Sequence, residues 1–190
     1  MEVEMPPKVK ITKAEILRTA VTLVREHGES ALNARAIASA LNCSTQPIFS
    51  NFTAMEELKT AVIEEAEILF DEYIKKEVEA NLYPVYKASG MAYIRFAKEE
   101  KNLFRLLYMR DRSGEIIPED TSLGMRMEAV IQKNTGLCGI EVRIFQVEMW
   151  AVVHGIATMF ATGYLELDWE FVSKMLTDTY LGLKKQYGLE

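Results

Sequence analysis

The 190-residue sequence holds only two cysteines, two histidines and five prolines, with ten scattered glycines. Cys43 and Cys138 are far apart, with no CxxC and no neighbouring His pair. That argues against a disulfide framework or a cysteine-built zinc site, so two ordinary buried thiols and no metal are expected. There is no Gly-rich phosphate loop, no Ser/Cys–His pairing and no metal-ligand spacing, so neither an enzyme nor a cofactor-binding protein is expected. The opening MEVEMPPKVK has no apolar core of a signal peptide, which implies a cytoplasmic protein. The longest weakly polar run, 149–165, is interrupted by His154 and two threonines. It falls short of the ~20 apolar residues a membrane span needs and reads instead as a buried helix.

What is present suits a folded protein: 49% of residues are hydrophobic and 26% charged. The length suits a small domain joined to a larger one. The net charge of −6 is unevenly spread. Residues 1–53 carry six Lys/Arg against five Glu, with Lys8, Lys10 and Lys13 close together, whereas the remainder carries 16 against 23 acids. A near-neutral head on an acidic body suits a protein with one end that meets phosphate.

Thr12 and Glu15 form a capping box that starts a first helix, flanked by Ile11 and Ile16 as a hydrophobic staple. Ile16, Ala20, Leu23 and Val24 continue a helical stripe to Gly28. Asn33 caps a second helix whose inner face is Ile37, Ala38 and Leu41. Asn42 then takes the left-handed position that Gly usually fills. Ser44 is expected to cap a third helix through the Gln46 N–H, with Pro47 in the third helical position. Ile48 and Phe52, four apart, point inward and leave Thr45, Gln46, Pro47, Phe49 and Ser50 on other faces. Thr and Gln at the start of a short exposed helix suit major-groove reading, since Gln pairs with adenine through two hydrogen bonds and Thr touches a thymine methyl or bonds a base. Solvated capping residues are the plainer alternative.

A second box, Thr53 with Glu56, is expected to start a long helix running to about Ala80. Leu58, Val62, Leu69 and Tyr73 line one of its faces, and acids occupy the others. Beyond it the apolar spacing stays helical through Tyr93, Phe96 and Ala97, then Leu103, Phe104, Leu106, Leu107 and Tyr108. The charged, turn-rich stretch 111–121 marks a boundary, and helix resumes from Leu123 to Gln132. No segment alternates as a strand does, so the fold class is all-α.

Two terminal helices, near 140–163 and 169–187, are apolar over too much of their circumference for one wet face. Ile144, Val147, Ala151 and His154 form one stripe of the first; Phe145, Met149, Val152, Ile156 and Met159 form another. Burial on two sides implies a four-helix contact between two copies of the chain, with a thick monomer core as the alternative. Trp150 and His154 lie one turn apart on one face, and Gly155 permits another helix to come close. His154 also suits an ordinary hydrogen-bonded core residue.

Residues 12–62 resemble the N-terminal domain of TetR-family transcriptional regulators. The likeness rests on Ile37-Ala38, Leu41-Asn42-Cys43-Ser44, Pro47-Ile48-Phe49-Ser50-Asn51-Phe52 and Glu56-Glu57-Leu58. The stretch CSTQPIFSNF is similar to one branch in which STQPI(Y/F) is usual, and Trp150–Gly155 resembles the WxxxHG signature of a C-terminal domain in some members. Phe49 stands where the family usually has Tyr, Asn51 where it often has His, and Met55 where many have Lys, so phosphate anchoring is thinner than the family pattern. Lys8, Lys10 and Lys13 are candidates to supply part of that charge.

The resemblance implies an arm at 1–11, a three-helix helix-turn-helix head at 12–54 and a larger helical effector-binding and dimerisation domain at 55–190. It implies a homodimer paired through the last two helices on double-stranded DNA with a palindromic operator, acting as a repressor released by an unidentified small molecule. The long helix after the head would transmit that switch. The candidate DNA contacts are Lys13, Arg35, Ser44, Thr45, Gln46, Pro47, Phe49 and Ser50. The candidate effector pocket is Phe96, Phe104, Tyr108, Met149, Trp150 and His154, residues equally suited to a core. The alternative is a helical small-molecule-binding or interaction protein with weak or lost DNA binding.

Overall fold

The computed structural model describes residues 11–111 and 123–189. Lys8, Lys10 and all but the first residue of the expected boundary at 111–121 lie outside the described residues. Among those described there are nine α-helices and no strand, which agrees with the all-α expectation. The chain divides into two compact units, Met1–Ala66 and Glu67–Glu190. This division falls inside the helix that begins at Met55.

In the first unit, α1 (Lys13–His27) opens with the expected reciprocal box. The Glu15 N–H donates to Thr12 Oγ1 at 3.2 Å, and the Thr12 N–H donates to Glu15 Oε2 at 2.8 Å. Gly28, at φ +82°, ends α1 with its N–H on the Val24 carbonyl. After a 3-10 turn, α2 (Ala34–Ala40) starts at Asn33, whose side chain accepts from the Ala36 N–H at 2.9 Å. The third helix, α3 (Gln46–Asn51), and the start of α4 (Met55–Glu79) complete the unit. Its core is small and mostly aliphatic: Ile16, Ala20, Val24, Ile37, Ala38, Ile48, Phe52, Leu58 and Val62 are all buried. Each large side chain there contributes roughly 1.5–3 kcal/mol by leaving water.

The start of α4 differs from the expected box. Thr53 pairs with Glu57, not Glu56: its N–H and hydroxyl both donate to Glu57 Oε2, at 2.7 and 2.8 Å. The helix begins at Met55, which puts Glu57 in its third position, where a carboxylate reaches back over the first turn.

In the second unit the central helix is α5 (Val85–Glu99), in contact with α6 (Lys101–Tyr108), α7 (Leu123–Thr135), α8 (Ile140–Thr162) and α9 (Trp169–Gln186). Ala88, Met91, Ala92, Tyr93, Ile94, Phe96 and Ala97 of α5 are all buried. The break between α5 and α6 at Glu100, which leaves helical geometry with ψ +50°, was not anticipated from apolar spacing that continues across it. By length and composition α8 is apolar enough to cross a membrane, unlike the shorter run 149–165; 44% of its most apolar window is buried within the protein.

Candidate functional site

The helix-turn-helix geometry rests on Asn42. It sits at φ +51°, a left-handed position that Asn tolerates better than other side chains because its amide bonds locally. The Cys43 N–H then closes the turn on the Ala38 carbonyl at 2.9 Å. The next helix starts one residue later than expected: Thr45, not Ser44, occupies the cap position, and Pro47 is the second helical residue. Thr45 already has helical dihedrals and makes no side-chain cap bond. A cap side chain needs an extended backbone to swing back over the first turn, and this turn lacks it.

Ile48 and Phe52 are buried as predicted, at 0% and 1% exposure. Gln46, Phe49 and Ser50 are exposed, Thr45 and Pro47 half-buried, and Ser44 exposed in the preceding turn. The helix therefore presents one wet face carrying the residues expected to meet DNA. One of them is partly engaged at home. The Ser50 hydroxyl donates to the Gln46 carbonyl at 2.9 Å, leaving its oxygen as an acceptor only. Phe49 is 52% exposed and offers a ring face with no polar atom. Arg35 is exposed on the first turn of α2.

Lys13 has the most partners of the predicted contacts. Its Nζ donates to Glu57 Oε1 at 2.7 Å and lies 4.5 Å from the centre of the Phe52 ring. Asn51 supports the same corner, its amide donating to the Pro47 carbonyl at 2.8 Å and reaching the Ile11 carbonyl at 3.5 Å. The bond from Lys13 and the two from Thr53 hold the Glu57 carboxyl down at about 2. Glu57 was not anticipated as a functional residue. The nearby Thr53 pointed one residue short of it, to Glu56.

The expected effector residues separate into two places. Phe104 and Tyr108 meet Tyr93 with ring centres 5.3 and 4.9 Å apart, and Phe96 meets Phe70 at 5.2 Å. His154 joins this cluster, with its Nδ1 2.9 Å from the Tyr93 hydroxyl and its ring stacked on Trp150 at 4.8 Å and 20°. Burial holds the imidazole below its usual value and the Tyr93 phenol well above its own, so both groups are held neutral, and the His154 tautomer sets which of them donates. Met149 belongs elsewhere, packed with Ile131, Leu137, Val142 and Phe145. Phe96 and Phe104 are fully buried. The predicted pocket is therefore mainly a packed aromatic core with one polar edge at His154.

A groove of about 390 Å³ opens between α4, α5 and α7, lined by Asp71, Ile74, Lys75, Val78, Val85, Ser89 and Met127. None of the predicted pocket residues lines it. Tyr93, Phe70 and the groove side chains were missed because their meeting joins residues up to 61 apart, which local spacing does not encode.

Residues 86–179 match the family model described as the tetracyclin repressor-like C-terminal domain. The chain is similar in structure to a TetR-like transcriptional regulator from Rhodococcus sp. RHA1, with a TM-score of 0.70 and 16% identity over 97% of this chain and 100% of that one. It is also similar to a protein of unknown function from the same organism, with a TM-score of 0.69 and 21% identity over 93% and 97% of the two chains. No curated protein sequence matches it. The match to the tetracyclin repressor-like C-terminal domain covers residues 86–179, and the two solved structures share the fold of nearly the whole chain.

Proposed function

We propose that this protein is a cytoplasmic, homodimeric, DNA-binding transcriptional regulator without enzymatic activity, and that it represses until a small effector releases it. The observation that carries the reading is the wet face of α3. Thr45, Gln46 and Ser50 stand on a short helix anchored by buried Ile48 and Phe52 and entered through a left-handed Asn42. That is the chemistry and presentation of a major-groove helix. The similarity to a TetR-like transcriptional regulator supports the same assignment.

The pairing surface is the outer stripe of α8 and α9. Ile144, Val147, Trp150, Phe171 and Leu181 are all between 44% and 55% exposed, too much apolar surface for a monomer to leave wet without use. A side chain added at Gly155 or Gly182 would meet nothing within 4 Å, which leaves room for a second helix to approach. Thr158, on the α8 stripe, holds a buried hydroxyl with no hydrogen-bond partner among the described residues. Two copies placed by this contact would read half-sites ~34–36 Å apart or a multiple of that. The effector occupies the groove beside α4, since a ligand changes DNA affinity only if it binds the two head arrangements unequally and α4 continues into the first unit.

The test is selection of genomic fragments by the purified protein, with its mass in solution measured in parallel. A palindromic site enriched by a dimer supports the proposal. If duplexes are bound without discrimination at low salt, the head does not read sequence and the chain is a helical interaction protein.

A further inference from the structure

We propose that Glu57 is a built-in brake on DNA affinity, its fixed carboxylate neutralising Lys13 beside the reading helix. The inference rests on the DNA-binding reading above and concerns only the first unit.

Three observations carry it. The carboxylate is anchored independently of Lys13, because Oε2 accepts both the N–H and the hydroxyl of Thr53 while Oε1 takes the ammonium. It therefore stays in place when Lys13 moves. Lys13 is the more exposed partner: its side chain is 55% exposed against 37% for Glu57, and its Nζ lies 4.5 Å from the centre of the Phe52 ring. Phe52 and Asn51 end α3, and Asn51 also reaches the Ile11 carbonyl, so the pair stands at the end of the helix that presents Gln46.

An exposed ion pair of this kind contributes little to stability. Its effect on a polyanion is larger. A lysine that contacts phosphate releases counterions, and one held against a carboxylate that cannot leave contributes no net charge. The anchored carboxylate also repels any phosphate that approaches the ammonium. Replacing the carboxylate by an amide keeps an acceptor for Thr53 and frees the cation.

The experiment measures affinity for a 30-base-pair duplex of random sequence as a function of salt, for the full chain and the variants E57Q, K13Q and the two combined. The wild type is read first, and absence of binding at low salt overturns the DNA-binding reading and the brake together. Given binding, E57Q is expected to steepen the log–log salt slope by about 0.9, so that affinity falls ~3.5-fold further than in wild type between about 50 and 200 mM salt. In the K13Q background the same substitution should leave the slope unchanged. An unchanged slope in E57Q, or an equal increase with and without Lys13, overturns the brake. Acylation of Lys13 by an amine reagent gives a second readout: duplex should protect it in E57Q and not in wild type, and protection in wild type also counts against the proposal.

Discussion

The two units are held in different ways. The first is pinned by neighbours in sequence: Thr12 to Glu15, Asn33 to Ala36 and Thr53 to Glu57, around a thin aliphatic core. The second has its aromatic residues brought together from four helices, with Phe70, Tyr93, Phe104, Tyr108 and His154 in edge and tilted contact. Local hydrogen bonds set where helices begin, and they are cheap to lose one at a time. A shared aromatic core is costly to breach anywhere, because each ring supports several others. The unit proposed to read DNA is thus specified piece by piece, and the unit proposed to pair and sense is specified collectively.

Phe104→Ala is the hardest blow to this contrast. It should cost about 3–5 kcal/mol in urea unfolding followed by tryptophan fluorescence, since it opens a cavity under Tyr93 and His154. Both tryptophans, Trp150 and Trp169, lie in the second unit, so the signal reports that unit. A loss under 1 kcal/mol would mean the cluster is loosely packed and the contrast is overstated. Gln46→Ala tests the other unit through function, not stability. Discrimination at one base position should fall by about 1–3 kcal/mol with the far-UV spectrum unchanged. Uniform weakening on every sequence would assign Gln46 to phosphate.

Smaller effects sharpen the comparison further. Thr12→Ala should cost about 0.5–2 kcal/mol and speed amide exchange in the first turn of α1, leaving the tryptophan signal in place. Equal changes in the tryptophan transition would show that the caps do not act locally. The smallest effect is a pH dependence at His154. Burial lowers its affinity for a proton in the folded state, so its contribution is complete above the ordinary value of 6.5. That contribution is lost as pH falls below 6.5 and through the lower folded value, where the folded state must hold a charged imidazolium in a partly desolvated place. His154→Gln should flatten stability between pH 7 and the acid range; an undiminished pH slope in the variant would place the titration elsewhere.

The head was legible because its rules act within four residues. Asn42 at positive φ, the Thr12–Glu15 box and inward Ile48 and Phe52 all follow from residue type and spacing. The misses there were of register: Thr45 for Ser44 and Glu57 for Glu56. A capping side chain selects among adjacent positions by energies of about a kcal/mol, which backbone geometry overrides. In the body the helices were legible and their meeting was not. His154 and Trp150 were read as sharing a face, and they stack, because i and i+4 are neighbours on any helix. That Tyr93 would hold His154, that Met149 would belong to a separate cluster, or that Asp71 and Met127 would face one groove depends on how α4 to α8 cross.

By itself the sequence determined the all-helical class, the limits of most helices to within a few residues, and which residues of a short third helix face outward. Those outcomes depend on periodicity, dihedral preference and hydrogen bonds over one turn. Only the tertiary structure decided that Phe96, Phe104 and Tyr108 pack with Phe70 and Tyr93 into an aromatic cluster, that a groove lies along α4, and that Lys13 is held by a carboxylate 44 residues away. Side-chain contact across separate helices depends on their crossing geometry, and no single segment carries that information.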